Sequence, residues 1–319
     1  MPVKRVLVSG AGGFIGRASV PALQALGYEV HAVVSPGGAA RVPAELAPTT
    51  VHAADLLDGA AVAALLAAIE PSHLLHFAWV ATPGVYWTSP DNARWLAASE
   101  LLLGVFRRSG GIRAVMAGSC AEYDWSRVEV CHETSSPLAT QAASPPTPYA
   151  AAKIAMQESL ESFGRKSGIS TAWGRIFFQY GPHENAARLV PTIIISLLQN
   201  REALCSHGRQ VRSFLHVADV GAAFAALLDS RLVGPVNVGS GEAVSIGELA
   251  LRIGAQLGRR DLVRLGAKSA PPGEPAVLIP DLKRLTQELG WQPRFTLEAG
   301  LADTIAWWRG QDAGKKIAP

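Results

Sequence analysis

Tyr149-Ala-Ala-Ala-Lys153 sets a phenol and an ammonium four residues apart. On a helix those two side chains share a face. A positive charge beside a phenol favours the phenolate and lowers its pKa from about 10 toward neutrality. Such a tyrosine gives or takes a proton at a carbinol or carbonyl oxygen. Solvated helix faces show the same spacing, so the pair needs support from its surroundings. The segment Met116-Ala-Gly-Ser119-Cys-Ala-Glu-Tyr123 supplies it, because Ser119 closes an apolar, strand-like run. At the C-terminal edge of a parallel sheet, that hydroxyl can hydrogen-bond the same substrate oxygen.

A second piece of chemistry lies at the other end of the chain. Val6-Leu-Val-Ser-Gly10-Ala-Gly12-Gly13-Phe14-Ile15-Gly16 reads as a buried strand entering a glycine-rich turn, with helix-forming sequence from Arg17 to Leu26. Glycine at 10 permits a tight turn. Glycine at 13 lets the backbone approach phosphates, and glycine at 16 lets the helix pack on its strand. The helix N-terminus then offers free N–H groups and partial positive charge to an anion such as a dinucleotide pyrophosphate.

The elements that must position these groups follow from hydrophobic periodicity. Strands are predicted at 4–9, 29–34, 49–53, 73–77, 112–118 and 170–176, and helices at 15–26, 59–68, 91–108 and 149–167. Repeated strand–helix alternation predicts an α/β chain with a doubly wound parallel sheet. After Gly181 the pattern predicts a helix at 188–199, short strands near 203–206 and 211–216, a helix at 217–229, an apolar run Pro235–Gly239 and a helix at 245–257. Residues 1–178 plus about 208–240 are expected to form the dinucleotide-binding domain. Residues 179–207 plus 241–310 are expected to form a smaller C-terminal α/β substrate-binding region, and 311–319 a tail. The Ser/Pro/Ala-rich stretch from Ala139 to Pro148 is expected to be a mobile loop.

Composition removes several function classes. The chain has 319 residues, 49% of them hydrophobic, which is ample for a real core. Net charge is only +3 with mixed signs and no long Lys/Arg block, so nucleic acid is not an expected partner. The longest apolar runs, such as Ala60 to Ile69, reach about half the ~20 residues a membrane span needs. The N-terminal apolar run belongs to the glycine turn and lacks a signal-peptide pattern, so a cytoplasmic enzyme is expected. Cys120, Cys131 and Cys205 are an odd number without metal-ligand spacing, as in a reduced compartment. His73 and His76 lie on a buried-strand pattern, and no metal is expected.

Taken together and in order, these motifs resemble an extended short-chain dehydrogenase/reductase of the NAD-dependent epimerase/dehydratase group, which acts on nucleotide sugars. The resemblance runs through about residue 308. Gly10, Gly13 and Gly16 match its glycine turn, and Asp55-Leu56 its acidic–leucine pair at the adenine. His76-Phe77-Ala78-Trp79 stands at the strand end that lines the cofactor. Ser119, Tyr149 and Lys153 match the catalytic triad. Tyr180-Gly-Pro182, Arg209-Gln-Val-Arg212-Ser-Phe-Leu-His216-Val-Ala-Asp219, Asn237-Val-Gly-Ser-Gly241 and Leu289-Gly-Trp-Gln-Pro293 complete the set. The resemblance implies a Rossmann-type sheet and a redox core. In it, Tyr149 moves a proton, Lys153 holds the nicotinamide ribose and acidifies Tyr149, and Ser119 orients the substrate oxygen. It also implies a homodimer formed through the helices at 91–108 and 149–167.

Departures from the family pattern narrow the reaction. Its dehydratases carry Asp-Glu directly after the catalytic Ser/Thr, where this chain has Cys120-Ala121, so water elimination is disfavoured. Glu122, one position on, is read as a structural carboxylate. NAD-specific relatives carry an acid near the end of the second strand, but here that end reads His31-Ala-Val-Val-Ser35. Ser35 and Arg41, with Arg17 nearby, are candidate 2′-phosphate partners, so NADP(H) is favoured and NAD(H) remains open. The leading expectation is reduction of a keto group on a nucleotide-linked 4-keto-6-deoxy sugar. A nucleotide-sugar 4-epimerase and a non-catalytic NADP(H) sensor are the alternatives. On the substrate side, Phe178 replaces the family's diphosphate-contacting Asn, and Ala270-Pro-Pro-Gly-Glu274 lacks the usual arginine. Arg212 is left as the main diphosphate anchor, with Arg188 assisting. Trp79, Tyr86, Trp87 and Trp95 are read chiefly as aromatic packing, and Asn92 as a cap or backbone brace.

Overall fold

The computed structural model of the chain describes residues 3–47, 49–270 and 273–312. Its strands in chain order are β1 (Arg5–Ser9), β2 (Glu29–Val34), β3 (Thr50–Ala53), β4 (His73–His76), β5 (Arg113–Ser119), β6 (Val130–Cys131) and β7 (Ser170–Ile176). These are followed by β8 (Phe178–Tyr180), β9 (Ala203–Leu204), β10 (Val211–His216), β11 (Gly234–Val238), β12 (Ala243–Ser245), β13 (Val263–Arg264) and β14 (Val277–Pro280). The helices are α1 (Phe14–Ala25), α2 (Gly59–Ile69), α3 (Asp91–Arg108), α4 (Pro148–Ser167), α5 (Leu189–Leu198), α6 (Val217–Asp229), α7 (Ile246–Leu257) and α8 (Leu297–Asp312). In the first 180 residues each predicted strand and helix is present with its ends within one residue of the expected ones, and β6 and β8 are additional.

Seven strands form one sheet in the order β11-β7-β5-β4-β1-β2-β3. Every pairing in it is parallel. Order reverses between β1 and β4, so the C-terminal ends of these two strands flank the crevice where ligands bind in doubly wound sheets. Parallel strands are covered on both faces, which explains their continuous apolar runs. Val20 and Leu23 of α1 and Val220 and Phe224 of α6 pack on one face. Leu66 of α2, Leu102 and Phe106 of α3 and Met156 and Leu160 of α4 pack on the other.

The second half builds a smaller lobe. A five-stranded sheet has the order β12-β10-β14-β6, with β8 also pairing β10. Only β12 runs antiparallel to β10. Helices α5, α7 and α8 share a core around Ile194, Leu249, Leu301 and Trp308. The stretch 208–240 divides between the two lobes. β10 lies in the smaller sheet, whereas α6 and β11 pack with the larger one. No periodicity in the sequence announced β6, β8, β12 to β14 or α8. Helix α8 reaches Asp312, and 313–319 of the expected tail lie outside the described residues. The expected loop at 139–148 holds a short 3-10 turn, Ala139–Gln141, and then enters α4.

Candidate active site

The glycine turn has the conformation its composition requires. Gly10 sits at φ +66°, and a Cβ there would lie 2.9 Å from the Ala78 nitrogen. A Cβ at Gly16 would lie 2.2 Å from the Gly10 carbonyl oxygen. Residues with side chains at either place would push β1, β4 and α1 apart. Gly13 precedes α1 and provides no side-chain cap, so the N–H groups of the first turn point outward for an anion. Arg17 donates from Nη2 to the Gly12 carbonyl at 3.2 Å, and its buried Nε has no partner.

This turn forms one wall of a cleft of about 1070 Å³ between the lobes. Gly10, Gly12, Gly13, Phe14, Ile15 and Gly16 line it, as do Ser35 after β2, Asp55 and Leu56 after β3, and Phe77, Ala78 and Trp79 after β4. Arg41 ends a short 3-10 helix, Pro36–Arg41, and its side chain lies outside the described residues. An arginine with an unpartnered Nε, an uncapped helix start and a turn too tight for Cβ atoms together fit a dinucleotide pyrophosphate.

Ser119, Tyr149 and Lys153 line the same cleft. Ser119 ends β5, and its hydroxyl caps a 3-10 turn by accepting from Ala121 N at 3.2 Å. Tyr149 stands in the first turn of α4, behind Pro148 and the Thr147 cap. Burial holds its phenol above the ordinary range, opposed by a hydrogen bond with Ser119. Lys153 is buried and donates to the Ala117 carbonyl at 2.9 Å. Its ammonium lies 3.8 Å from the Trp79 ring centroid but 5.9 Å from that of Tyr149. Burial pushes it down to about 7, with Glu122 opposing.

Desolvation dominates at the phenol, and the lysine charge is engaged by Ala117 and Trp79. Desolvation thus favours the protonated form of the Tyr149 phenol.

Glu122 has the structural role read from its position. One carboxylate oxygen accepts from Ser119 N at 2.7 Å, the other from Arg175 Nε at 2.6 Å, and both face the Trp173 indole N–H at 3.0 Å. Both ionic side chains are essentially fully buried. Arg175 also donates to Tyr123 Oη, the Glu133 carbonyl and Gln157. The network locks β5, β7 and α4, the elements that carry Ser119, Tyr149 and Lys153, together. Cys120 lines the cleft, but burial raises its thiol to about 12, so it does not serve as an acid–base group near neutrality. His76 is buried between Ser9 Oγ at 2.7 Å and Ser99 Oγ at 2.9 Å. Burial pushes it down to about 3, which keeps it neutral. Among the described residues no cluster of His, Cys, Asp and Glu could hold a metal.

The predicted substrate residues Phe178, Arg188 and Arg212 also line the cleft. Arg212 donates to the Val211 and Pro275 carbonyls, both at 2.8 Å, and pairs with Glu274 at 3.3 Å. Its guanidinium lies 5.3 Å from the Phe178 ring centroid, and its buried Nε has no partner. Arg188 precedes α5, hydrogen-bonds Tyr86 and lies 5.3 Å from that ring's centroid. Tyr86 and Trp87 meet Tyr149 edge-on at 4.8 and 5.6 Å, and Trp125 continues the wall at 5.9 Å from Trp87. Asn92 braces this wall by accepting from the Trp79 indole at 2.9 Å and donating to the Tyr86 carbonyl at 2.7 Å. Sequence reasoning did not reach Trp125, Glu184 or Glu274 as cleft residues. Trp125 and Glu184 lie outside any motif, whereas Glu274 ends the substrate-side segment Ala270-Pro-Pro-Gly-Glu274, where attention went to the missing arginine.

The sequence profile of the NAD dependent epimerase/dehydratase family matches residues 6–247. UDP-glucuronic acid decarboxylase 1 of Xenopus tropicalis is 27% identical over 323 residues, covering 96% of this chain and 72% of that protein. A dTDP-4-dehydro-6-deoxy-D-allose reductase of Streptomyces is 36% identical over 135 residues, covering 41% of this chain and 40% of that protein. The structure of Thermus thermophilus UDP-glucose 4-epimerase in complex with NAD superposes with a TM-score of 0.83 at 26% identity, covering 96% of this chain and 99% of that one.

Proposed function

Because the chain belongs to the NAD dependent epimerase/dehydratase family, we propose that it is an NADP(H)-dependent reductase of a keto group on a nucleotide-linked 4-keto-6-deoxy sugar. One observation carries this reading. The Tyr149 phenol is held toward its protonated form by desolvation and hydrogen-bonds Ser119, and the two positions after that serine, Cys120 and Ala121, offer no second acid–base group. Such a site delivers one proton to a carbonyl oxygen, and positions 120 and 121 carry no carboxylate to move the further protons of water elimination. The partial match to a dTDP-4-dehydro-6-deoxy-D-allose reductase agrees with it.

A reduced nicotinamide bound along the glycine turn supplies the hydride. Ser119 hydrogen-bonds the substrate carbonyl oxygen and aligns it with Tyr149. Tyr149 Oη releases its proton to that oxygen as negative charge develops there. The ammonium of Lys153 stabilises the phenolate that remains. Arg212, which lines the cleft and keeps an unpartnered Nε, meets the diphosphate. The aromatic wall of Tyr86, Trp87 and Trp125 accommodates the apolar face of a deoxy sugar.

The end of β2 favours NADP(H), because Val34 and Ser35 stand there without an acid to repel a 2′-phosphate. The Arg17 cation lies beside the same turn. The competing reading is a 4-epimerase with resident NAD, favoured by the near-complete overlap with the NAD-bound Thermus epimerase.

The deciding experiment mixes purified protein, NADPH and a thymidine or uridine diphospho-4-keto-6-deoxyhexose, and follows absorbance of the reduced nicotinamide. Stoichiometric NADPH oxidation with the product hydroxyl identified by NMR is expected. Sugar-nucleotide turnover without net oxidation would establish the epimerase instead. Tyr149→Phe is expected to lose about 10²–10⁴-fold in kcat while binding NADPH as before. Wild-type protein that binds NADPH but turns over no ketone would mark a sensor.

A further inference from the structure

The loop between β8 and α5 is held in an unusual way. His183 adopts φ +69°, a left-handed conformation that costs a residue with a side chain. Its ring is fixed from both lobes, by Glu45 at 3.0 Å and by Trp307 with ring centroids 4.6 Å apart. The strained residue aims its neighbour, Glu184, at the cleft. Glu184 is 9% exposed. Its carboxyl is hydrogen-bonded to the Gly181 backbone, and Oε2 is buried with no partner. Arg188, the nearby cation, is engaged by the Tyr86 hydroxyl and ring. Burial pushes Glu184 up to about 8, with Arg188 opposing, so near neutrality it is chiefly an uncharged acid.

A buried carboxyl oxygen without a partner lowers stability unless a ligand completes it. The reaction proposed above leaves Glu184 unused, and folding alone would be served better by an apolar side chain. We propose that Glu184 is a specificity-determining residue whose free carboxyl oxygen hydrogen-bonds an uncharged hydroxyl of the substrate's sugar. The inference rests on the nucleotide-sugar reading of the cleft. Arg188, Tyr86 and Tyr149 form a contiguous wall, so this contact would orient the sugar relative to the proton donor.

The test is calorimetric titration of wild type, Glu184→Gln and Glu184→Leu with UDP, dTDP, UDP-glucose, dTDP-glucose and NADPH. Glu184→Leu is expected to weaken the nucleotide-glucose that wild type binds by about tenfold, with the matching diphosphate and NADPH unchanged. Glu184→Gln, which keeps a donor and an acceptor, is expected to stay within about twofold. Equal losses for the diphosphate or for NADPH would overturn the inference, because the carboxyl would then serve the anchor, the cofactor or the fold. Unchanged nucleotide-glucose binding by Glu184→Leu would overturn it as well. If wild type binds neither UDP nor dTDP, the nucleotide-sugar reading fails and this inference with it. Diphosphate binding without a Glu184 effect defeats this inference alone.

Discussion

Glu122→Gln should destabilise the protein severely while leaving the cleft's own side chains in place. The wild-type carboxylate is fully buried and accepts from Ser119 N, the Trp173 indole and Arg175 Nε. A glutamine of the same shape has one acceptor oxygen, and its NH₂ must face one of those donors. Arg175, 1% exposed, then keeps only the neutral partners Tyr123, Glu133 and Gln157 for a buried positive charge. Removing one member of a buried ion pair typically costs 3–5 kcal/mol, and an orphaned buried donor about 1–3 kcal/mol. These overlap, so about 3–5 kcal/mol is expected in total. Urea unfolding followed by fluorescence measures it as a lower midpoint at unchanged slope. The double variant Glu122→Gln/Arg175→Met removes the stranded charge and should recover more than half of the loss. A single-variant loss below about 1 kcal/mol, or no recovery in the double variant, would refute the account of Glu122 as the structural counter-ion of Arg175.

Three further outcomes are expected. Gly16→Ala brings a methyl 2.2 Å from the Gly10 carbonyl oxygen, so the α1 start must shift; about 1–3 kcal/mol of stability and at least tenfold in NADPH affinity should be lost, read by unfolding and titration. Arg212→Met should weaken nucleoside diphosphate binding about ten- to a hundredfold by calorimetry, with NADPH binding intact, because a charge-assisted contact is lost. Lys153 titrates at about 7 when folded and near 10.5 when unfolded, so the unfolded chain binds the extra proton between those values. Its contribution to stability is fully present above about pH 10.5 and is lost as pH falls through 7. Lys153→Met should flatten that slope in unfolding measured across pH 7 to 10.

Much of the large lobe was legible because its code is local. Alternation of apolar runs with helical periods marks each strand and helix of a parallel sheet, and the boundaries agree within a residue. The smaller lobe was less legible. Strands such as β6 and β13 are two residues long, too short for any period, and exist only because partners distant in the chain pair with them. The assignment of β10 to the smaller sheet likewise follows from pairing with β8, β12 and β14.

The sequence by itself singled out the candidate residues for chemistry. The glycine turn, Ser119 and the Tyr149–Lys153 spacing are short-range patterns, and backbone geometry makes each imply a local shape. The tertiary structure alone decided their electrical state. Burial, a property of everything packed around a group, raises Tyr149, lowers Lys153 and raises Glu184. Pairings across long stretches of chain decided which charges are structural. Glu122 belongs to Arg175, Arg212 shares its charge with Glu274, and Glu184 keeps one oxygen free in the cleft. Desolvation and long-range pairing depend on which atoms surround a group, and the order of residues along the chain does not specify that before the chain folds.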